Sequence, residues 1–320
     1  MSISVIEPVS SAIDRTRRTL FEPFAIGKWF VLGFCAFLAN LLEGGSSGNG
    51  GSWGEERRSG EPLELPDEFS GVLAAAWQWL VENYYWGILI ALGVVVLFAI
   101  VLVLMWLKGR GKFMFLDGVV LNRGAVVEPW HRFRRLGNSL FWFYVLIESV
   151  WGAFIVGMAL LILSIVWPDI VAGEFGARAM TGLIVGLGIF LPCALIAGVI
   201  DLFLDNLVIP VMYLRNLGVW PAWGVFGREV LAAQVGPVVL FCLMRIAIRI
   251  AVVVLSLLVC CCTCCVAILP YIGSVILLPL SVFDRCYSVY FLEQFGPSWR
   301  FFADEAPPAP AALVTPGGTL

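Results

Sequence analysis

A single histidine, His131, serves all 320 residues, and charged residues make up only 13% of the chain where a soluble domain carries roughly 25%. The scarcity of histidine removes the commonest metal ligand and the commonest general base. No H-E-x-x-H occurs and no nucleotide-binding fingerprint, and the run KGRGK from Lys108 lacks the G-x-x-x-x-G-K spacing of a phosphate-binding loop. Low charge argues against an ordinary soluble globule and against a nucleic-acid binder. No catalytic residue, cofactor or metal is therefore expected. A lipid-active enzyme built on an intramembrane carboxylate needs no such motif and stays as a third reading.

What the chain has in place of charge is apolar length. Sixty per cent of its residues are hydrophobic. A bilayer crossing needs about 20 predominantly apolar residues to span about 30 Å of hydrocarbon. Six runs qualify as candidates: 29–42, 86–107, 140–167, 182–214, 238–269 and 271–292. The first is short, and two exceed a single crossing. The expected fold class is all-α, a polytopic helical membrane bundle of about six transmembrane helices.

The net charge of −3 averages two unlike faces. Arg15, Arg17, Arg18 and Lys28 precede the first run, and Lys108, Arg110, Lys112, Arg123, Arg132, Arg134 and Arg135 follow the second. The connection 43–85 holds eight acidic residues against Arg57 and Arg58. The positive-inside rule then places both termini in the cytoplasm of a bacterial inner membrane and the acidic loop outside. A cleaved signal peptide fits poorly, because Glu7, Asp14 and Glu22 interrupt the charged region and no A-x-A site follows. Residues 1–28 read as an amphipathic arm on the inner leaflet, with a capping-box start at Ser10 or Ser11, and 29–296 as the membrane domain. Within 43–85, GGSSGNGGSWG is a flexible linker, and the aromatic stretch before Trp86 reads as a helix in the outer interface. The tail 297–320 has nothing with which to form a core and is expected to be disordered.

Three helix starts and three helix ends look alike. FEPFAIGKWF at Phe21, VEPWHRFRRL at Val127 and VWPAWGVFGREV at Val219 each set a proline among aromatics, while VVLNRG, YLRNLG and FLEQFG end at Gly124, Gly218 and Gly296. The pattern predicts three repeated helical hairpins, each leaving and re-entering the cytoplasmic side. Such repeats occur in transporters and wherever a hairpin was duplicated, so they name no function.

The cluster VCCCTCC at 259–265 contains two overlapping C-x-x-C patterns. It lies in the outer part of the fifth run, away from His131, and helical neighbours are poorly oriented for a disulfide. Small apolar residues that let helices approach is the reading adopted. Gly182 with Gly186, and Ala153 with Gly157, are small-x-x-x-small pairs that read the same way. Pro192, Pro210 and Pro279 interrupt apolar runs and predict kinks.

Charges inside the apolar runs carry the functional question. Glu148, Asp201, Asp205, Arg245, Arg249, Asp284 and Arg285 all fall in the cytoplasmic third of their runs or at its edge, counting about 1.5 Å per residue. Asp201 with Asp205 and Arg245 with Arg249 are i, i+4 pairs, so the two acids are expected to face the two arginines across one interface. Near-neutrality favours a structural network that fixes helix register, and a substrate or proton path is the alternative. Expected partners are membrane lipids, with anionic headgroups at the basic stretch from Lys108, and other membrane proteins or a second copy of the chain.

The segment LPYIGSVILLPLSVFDRCYSVYFLEQFGP, 269–297, resembles a broad group of uncharacterised bacterial multi-pass membrane proteins, similar to the membrane domain attached to some glycerophosphodiester phosphodiesterases. The likeness rests on a proline-bounded turn, a second proline inside the helix and the charged ending FDRCYSVYFL. Their catalytic domain has no counterpart here, so the resemblance implies a helical inner-membrane protein and no activity. An integral membrane protein of structural or interaction type is the leading expectation, with a transporter or channel using the charged layer as the alternative.

Overall fold

The computed structural model describes residues 3–22, 24–42, 78, 82, 84–171, 176–263 and 269–302, and its regular elements among them are all helical. The acidic linker, nearly all of the outer interfacial stretch, Cys264, Cys265 and the tail beyond Phe302 lie outside these residues. In chain order the elements are α1 (Glu7–Phe21), α2 (Ile26–Ala39), α3 (Tyr84–Val120), α4 (Val127–Arg132), α5 (Arg134–Val171), α6 (Ala177–Phe203) and α7 (Ile209–Arg215). They continue with α8 (Val219–Val225), α9 (Val235–Cys262), α10 (Pro270–Ile276) and α11 (Leu278–Glu293). Short π-helical segments, Leu204–Val208 and Phe226–Leu231, follow α6 and α8. Four stretches are long and apolar enough to cross a bilayer: Tyr84–Val120, Arg134–Asp169, Ala177–Arg215 and Val235–Cys262.

The other two expected crossings take a different form. Helix α2 stops at Ala39: Asn40 donates its amide to the Ala36 carbonyl and Leu41 donates to that of Leu38, and Leu42 takes a positive φ of 68°. At about 1.5 Å per residue its 14 residues span only about 21 Å. The last run breaks at Leu277, because Pro279 enters the first turn of α11 and has no amide to continue the ladder from α10. The break lays α10 beside α2. Val275 meets the bare Cα of Gly33, and Tyr271 lies among Phe30, Phe34 and Phe37.

Burial is unequal along the bundle. One end, rich in Arg and Lys and called the basic end here, is close-packed: Phe113, Leu116, Leu140, Leu207, Phe241 and Phe291 are wholly buried. Toward the other end almost every residue from Tyr84 to Ile100 is exposed, as are most of those at 146–163, 180–199 and 250–258. Leucine and valine exposed on every side of a helix are favourable only in lipid or against another apolar surface.

Glycine lets the close-packed end form. A Cβ on Gly111 would stand 2.6 Å from the backbone carbon of Leu38, and one on Gly118 equally close to the Leu32 side chain, so α2 and α3 approach to backbone contact. Gly182 presses against Val166 and Gly186 against Ile162, both of α5, as their spacing suggests, whereas Gly157 has nothing within 4 Å. That second small-residue pair is therefore no packing seam in this structure.

Two helix ends share one mechanism. Asn122 and Asn216 adopt left-handed conformations, φ 52° and 51°, and the residue after each returns an amide to a carbonyl five residues back. Asparagine tolerates that region better than most residues. The third end differs: there the positive φ of 131° belongs to Gly296 itself.

Helix α1 begins at Glu7, ahead of the expected capping box, with Pro8 in its first turn and the Ser4 hydroxyl accepting the Glu7 amide. Its face of Pro8, Ala12, Arg15, Thr16, Thr19 and Leu20 is buried, and the helix packs on α11, leaving Ile13 and Phe21 exposed. Arg15 donates to the terminal carbonyl of α3 at Val120, 2.8 Å away, a cation set where the helix dipole is negative. The Ser4 amide and carbonyl bond reciprocally to the Gln294 side chain, and Tyr287 donates to the Val5 carbonyl. The two ends of the described chain are thus joined.

Candidate functional site

The basic stretch from Lys108 is not a surface connection. Helix α3 runs through it, since Phe113, Met114, Phe115 and Leu116 continue the apolar helix beyond the glycines, and the stretch enters the bundle. Lys112 is 1% exposed, and its ammonium ion-pairs with the Asp205 carboxylate. The Tyr144 hydroxyl donates to the same oxygen at 3.2 Å. A lysine so placed is tolerable only because the carboxylate neutralises it.

Asp205 belongs to the π-helical segment that precedes Pro210. Five residues after Asp205 stands that proline, which has no amide to give, so the Asp205 carbonyl lacks its π-helical donor. Arg285 supplies one at 2.7 Å. The next residue, Asn206, donates from its side chain to the Leu202 carbonyl and accepts from Ser288. π-Bulges are common at functional sites, and here one presents a carboxylate to Lys112 and a carbonyl to Arg285.

The second ion pair joins α9 to α11. Arg245 grips Asp284 with two nearly parallel hydrogen bonds of 2.6 and 2.8 Å, and its guanidinium lies 6.0 Å from the Tyr287 ring centroid. This corrects the expected pairing: Arg245 takes Asp284, and Asp205 takes Lys112. The reason is rotational, because the π-turn aims Asp205 at α3 and leaves the α9 arginine to α11.

Along α5, α6 and α9, one turn farther from the basic end than Tyr144, Asp205 and Arg245, stand Glu148, Asp201 and Arg249. Each is four residues from its inner counterpart, about 6 Å along the axis and on roughly the same helix face. All three are exposed. The inner tier is packed, and the outer tier borders the space between the long helices. Asp205 and Asp284 keep side-chain exposures of 24% and 38%, so the inner carboxylates are not sealed off.

A third cluster closes the basic end. Asp117 is fully buried, 3.0 Å from Arg123, 3.9 Å from Arg132, and accepts a 3.0 Å bond from the Tyr213 hydroxyl. Arg123 also grips Glu128 at 2.7 and 3.1 Å. Those bonds hold the Glu128 carboxyl below the usual carboxylate range and keep Arg123 more firmly protonated than an ordinary arginine. Lys112, Asp117, Tyr144 and Tyr213 are site residues that the sequence reading did not single out.

Cys260, Cys261 and Cys262 end α9, Cys261 and Cys262 as free thiols. Among the described residues no three His, Cys, Asp or Glu side chains gather closely enough to hold a metal ion.

Residues 3–289 match the Family of unknown function (DUF7544), and the chain belongs to that family. No curated protein and no solved structure matches it. Nothing in the match extends to the membrane domain of glycerophosphodiester phosphodiesterases, so that resemblance adds no activity to the site.

Proposed function

We propose that this member of an uncharacterised family is a multi-pass protein of the bacterial inner membrane, with six crossings in three hairpins and both termini in the cytoplasm, acting as a non-enzymatic structural or interaction protein. The joined ends support the crossing count. Ser4 and Gln294 meet at the basic end, yet α3 starts and α9 finishes at the other. On this reading the chain passes the bilayer once before Tyr84 and once after Cys262, through α2 and through the broken pair α10 and α11. The matched Asn122 and Asn216 turns support duplication, and the concentration of Arg and Lys at that end supports its cytoplasmic placement.

The single observation behind the structural reading is that the two buried cations of the inner tier each have a carboxylate: Lys112 has Asp205 and Arg245 has Asp284. Pairing of this kind fixes helix register, and the further cation of the tier, Arg285, is held on the Asp205 carbonyl. A transport reading draws on a different observation, the exposed outer tier of Glu148, Asp201 and Arg249 above carboxylates that remain partly open. Thermal-shift screening of the detergent-solubilised protein against small ionic solutes separates the two. The structural reading expects no specific stabiliser. A solute whose stabilisation disappears in Glu148→Gln and Arg249→Gln would replace that reading with transport. Impermeant labelling of single cysteines placed at Ser47 and Gly318 tests the orientation, which labelling of Gly318 in intact cells would reverse.

A further inference from the structure

Among the described residues four cationic side chains at the basic end are at least nine-tenths buried: Arg15, Arg110, Lys112 and Arg245. Lys112 and Arg245 have carboxylates, and Arg15 has a helix-terminal carbonyl. Arg110 alone has neither. Its guanidinium lies between two indole faces, 4.1 Å from the Trp106 ring centroid and 4.6 Å from that of Trp130. Its one hydrogen bond, 3.3 Å to the Asn138 side-chain oxygen, is shared with the Trp106 ring nitrogen at 3.1 Å, and its own Nε is buried without a partner. Among the described residues no carboxylate comes within 4 Å of it, and the neighbouring charge is another cation, the exposed Arg134.

The place is built and not accidental. A Cβ on Gly137 would stand 2.7 Å from Arg110 Cγ, so α5 is bare where the arginine stem passes. Indole faces moderate the cost of burying a guanidinium but do not cancel its charge. Two cations without an acid, flanked by tryptophans at the level where a bundle meets its interface, call for an anion from outside the chain. The surface leading away from this corner is apolar: Val103 on α3, then Trp142 and Leu146 on α5, one and two turns beyond Asn138, are all exposed. A ligand that satisfies both features carries an anionic phosphodiester at one end and hydrocarbon at the other.

We infer that Arg110 and Arg134, with Trp106 and Trp130, form a binding site for the phosphate of an anionic membrane phospholipid whose acyl chains lie along the exposed faces of α3 and α5. The inference rests on the membrane reading of these helices. Retention of the protein in carbonate-washed membranes tests that reading by itself.

The site is tested with full-length protein in mild detergent, by native mass spectrometry with added phosphatidylglycerol, phosphatidylcholine or inorganic phosphate. Wild type is expected to retain phosphatidylglycerol in preference to phosphatidylcholine, with inorganic phosphate unable to displace it. Arg134→Gln, at an exposed position that leaves the fold untouched, and Arg110→Gln are each expected to weaken phosphatidylglycerol binding about fivefold. Arg17→Gln, on the exposed face of α1, serves as the control and is expected to change nothing. Should Arg110→Gln fail to fold, Arg134→Gln with Trp130→Leu carries the test. Equal retention of the two lipids, displacement by inorganic phosphate, or unchanged binding in Arg134→Gln would each overturn the assignment.

Discussion

Arg285 Nη1 lies 2.7 Å from the backbone oxygen of Asp205, the carbonyl whose π-helical donor would have been the nitrogen of Pro210. A proline in one helix thereby creates a bonding vacancy that an arginine from another helix fills. The two positions are bound by backbone chemistry and not by charge alone.

Because the arginine substitutes for a missing amide, its value depends on the proline. Arg285→Met is expected to lower stability by about 1.5–3 kcal/mol, the range for a hydrogen bond to a charged donor. In a Pro210→Ala background, where residue 210 regains its N–H, the loss should shrink to less than half. Thermal unfolding of the four proteins of this cycle in detergent measures the coupling, and equal losses in both backgrounds would mean that Arg285 acts only electrostatically.

Arg245→Gln strands the Asp284 carboxylate. A fully buried pair broken on one side loses about 3–5 kcal/mol. The partial exposure of Asp284 reduces the expected loss here to about 2 kcal/mol. The double variant Arg245→Gln, Asp284→Asn should recover most of it, whereas adding Asp205→Asn to Arg245→Gln should recover none, since Asp205 belongs to Lys112. Recovery with Asp205→Asn would restore the pairing first expected from the spacing.

The left-handed asparagines should respond differently to glycine. Asn216→Gly is expected to be neutral or stabilising by a few tenths of a kcal/mol, and Asn216→Val to cost about 1–2 kcal/mol, because a branched side chain clashes there. Asn122→Gly should cost about 1 kcal/mol, since its side-chain oxygen accepts the Lys28 ammonium. Melting temperatures of the three variants check the ranking. An equal response at both positions would remove the role given to Lys28.

Glycine-to-alanine changes map the packing of the bundle. Gly111→Ala pushes a methyl into the Leu38 backbone and should cost at least about 1–3 kcal/mol. Gly157→Ala meets nothing and should gain up to about 1 kcal/mol from helix propensity. If both destabilise equally, a partner covers Gly157 in the membrane.

The long helices were legible because twenty or more apolar residues in sequence leave little choice, and the Gly182, Gly186 seam because four-residue spacing fixes a face. The basic end was not. KGRGK resembles a connection when charge alone is weighed, yet no proline interrupts it and Phe113 to Leu116 continue the apolar helix, the signal that would have carried α3 past Lys112 to Asp117. Pairings depend on helix rotation. A π-turn shifts rotation by a fraction of a turn, and that shift sent Asp205 to Lys112. Pro210 marked the place where the turn would fall, without fixing its direction.

The reciprocal bonds between Ser4 and Gln294 have a consequence for biosynthesis. Ribosomes add about 5–20 residues per second, so the 290 residues separating the partners take about 15–60 s to appear. The α3 carbonyl that Arg15 caps appears 105 residues after it, within about 5–20 s, but the buried face of α1 is without α11 for nearly the whole interval. The segment made first must wait on the membrane surface for the segment made last. Its Ile13 and Phe21, which remain exposed in the finished fold, give it a means of staying there.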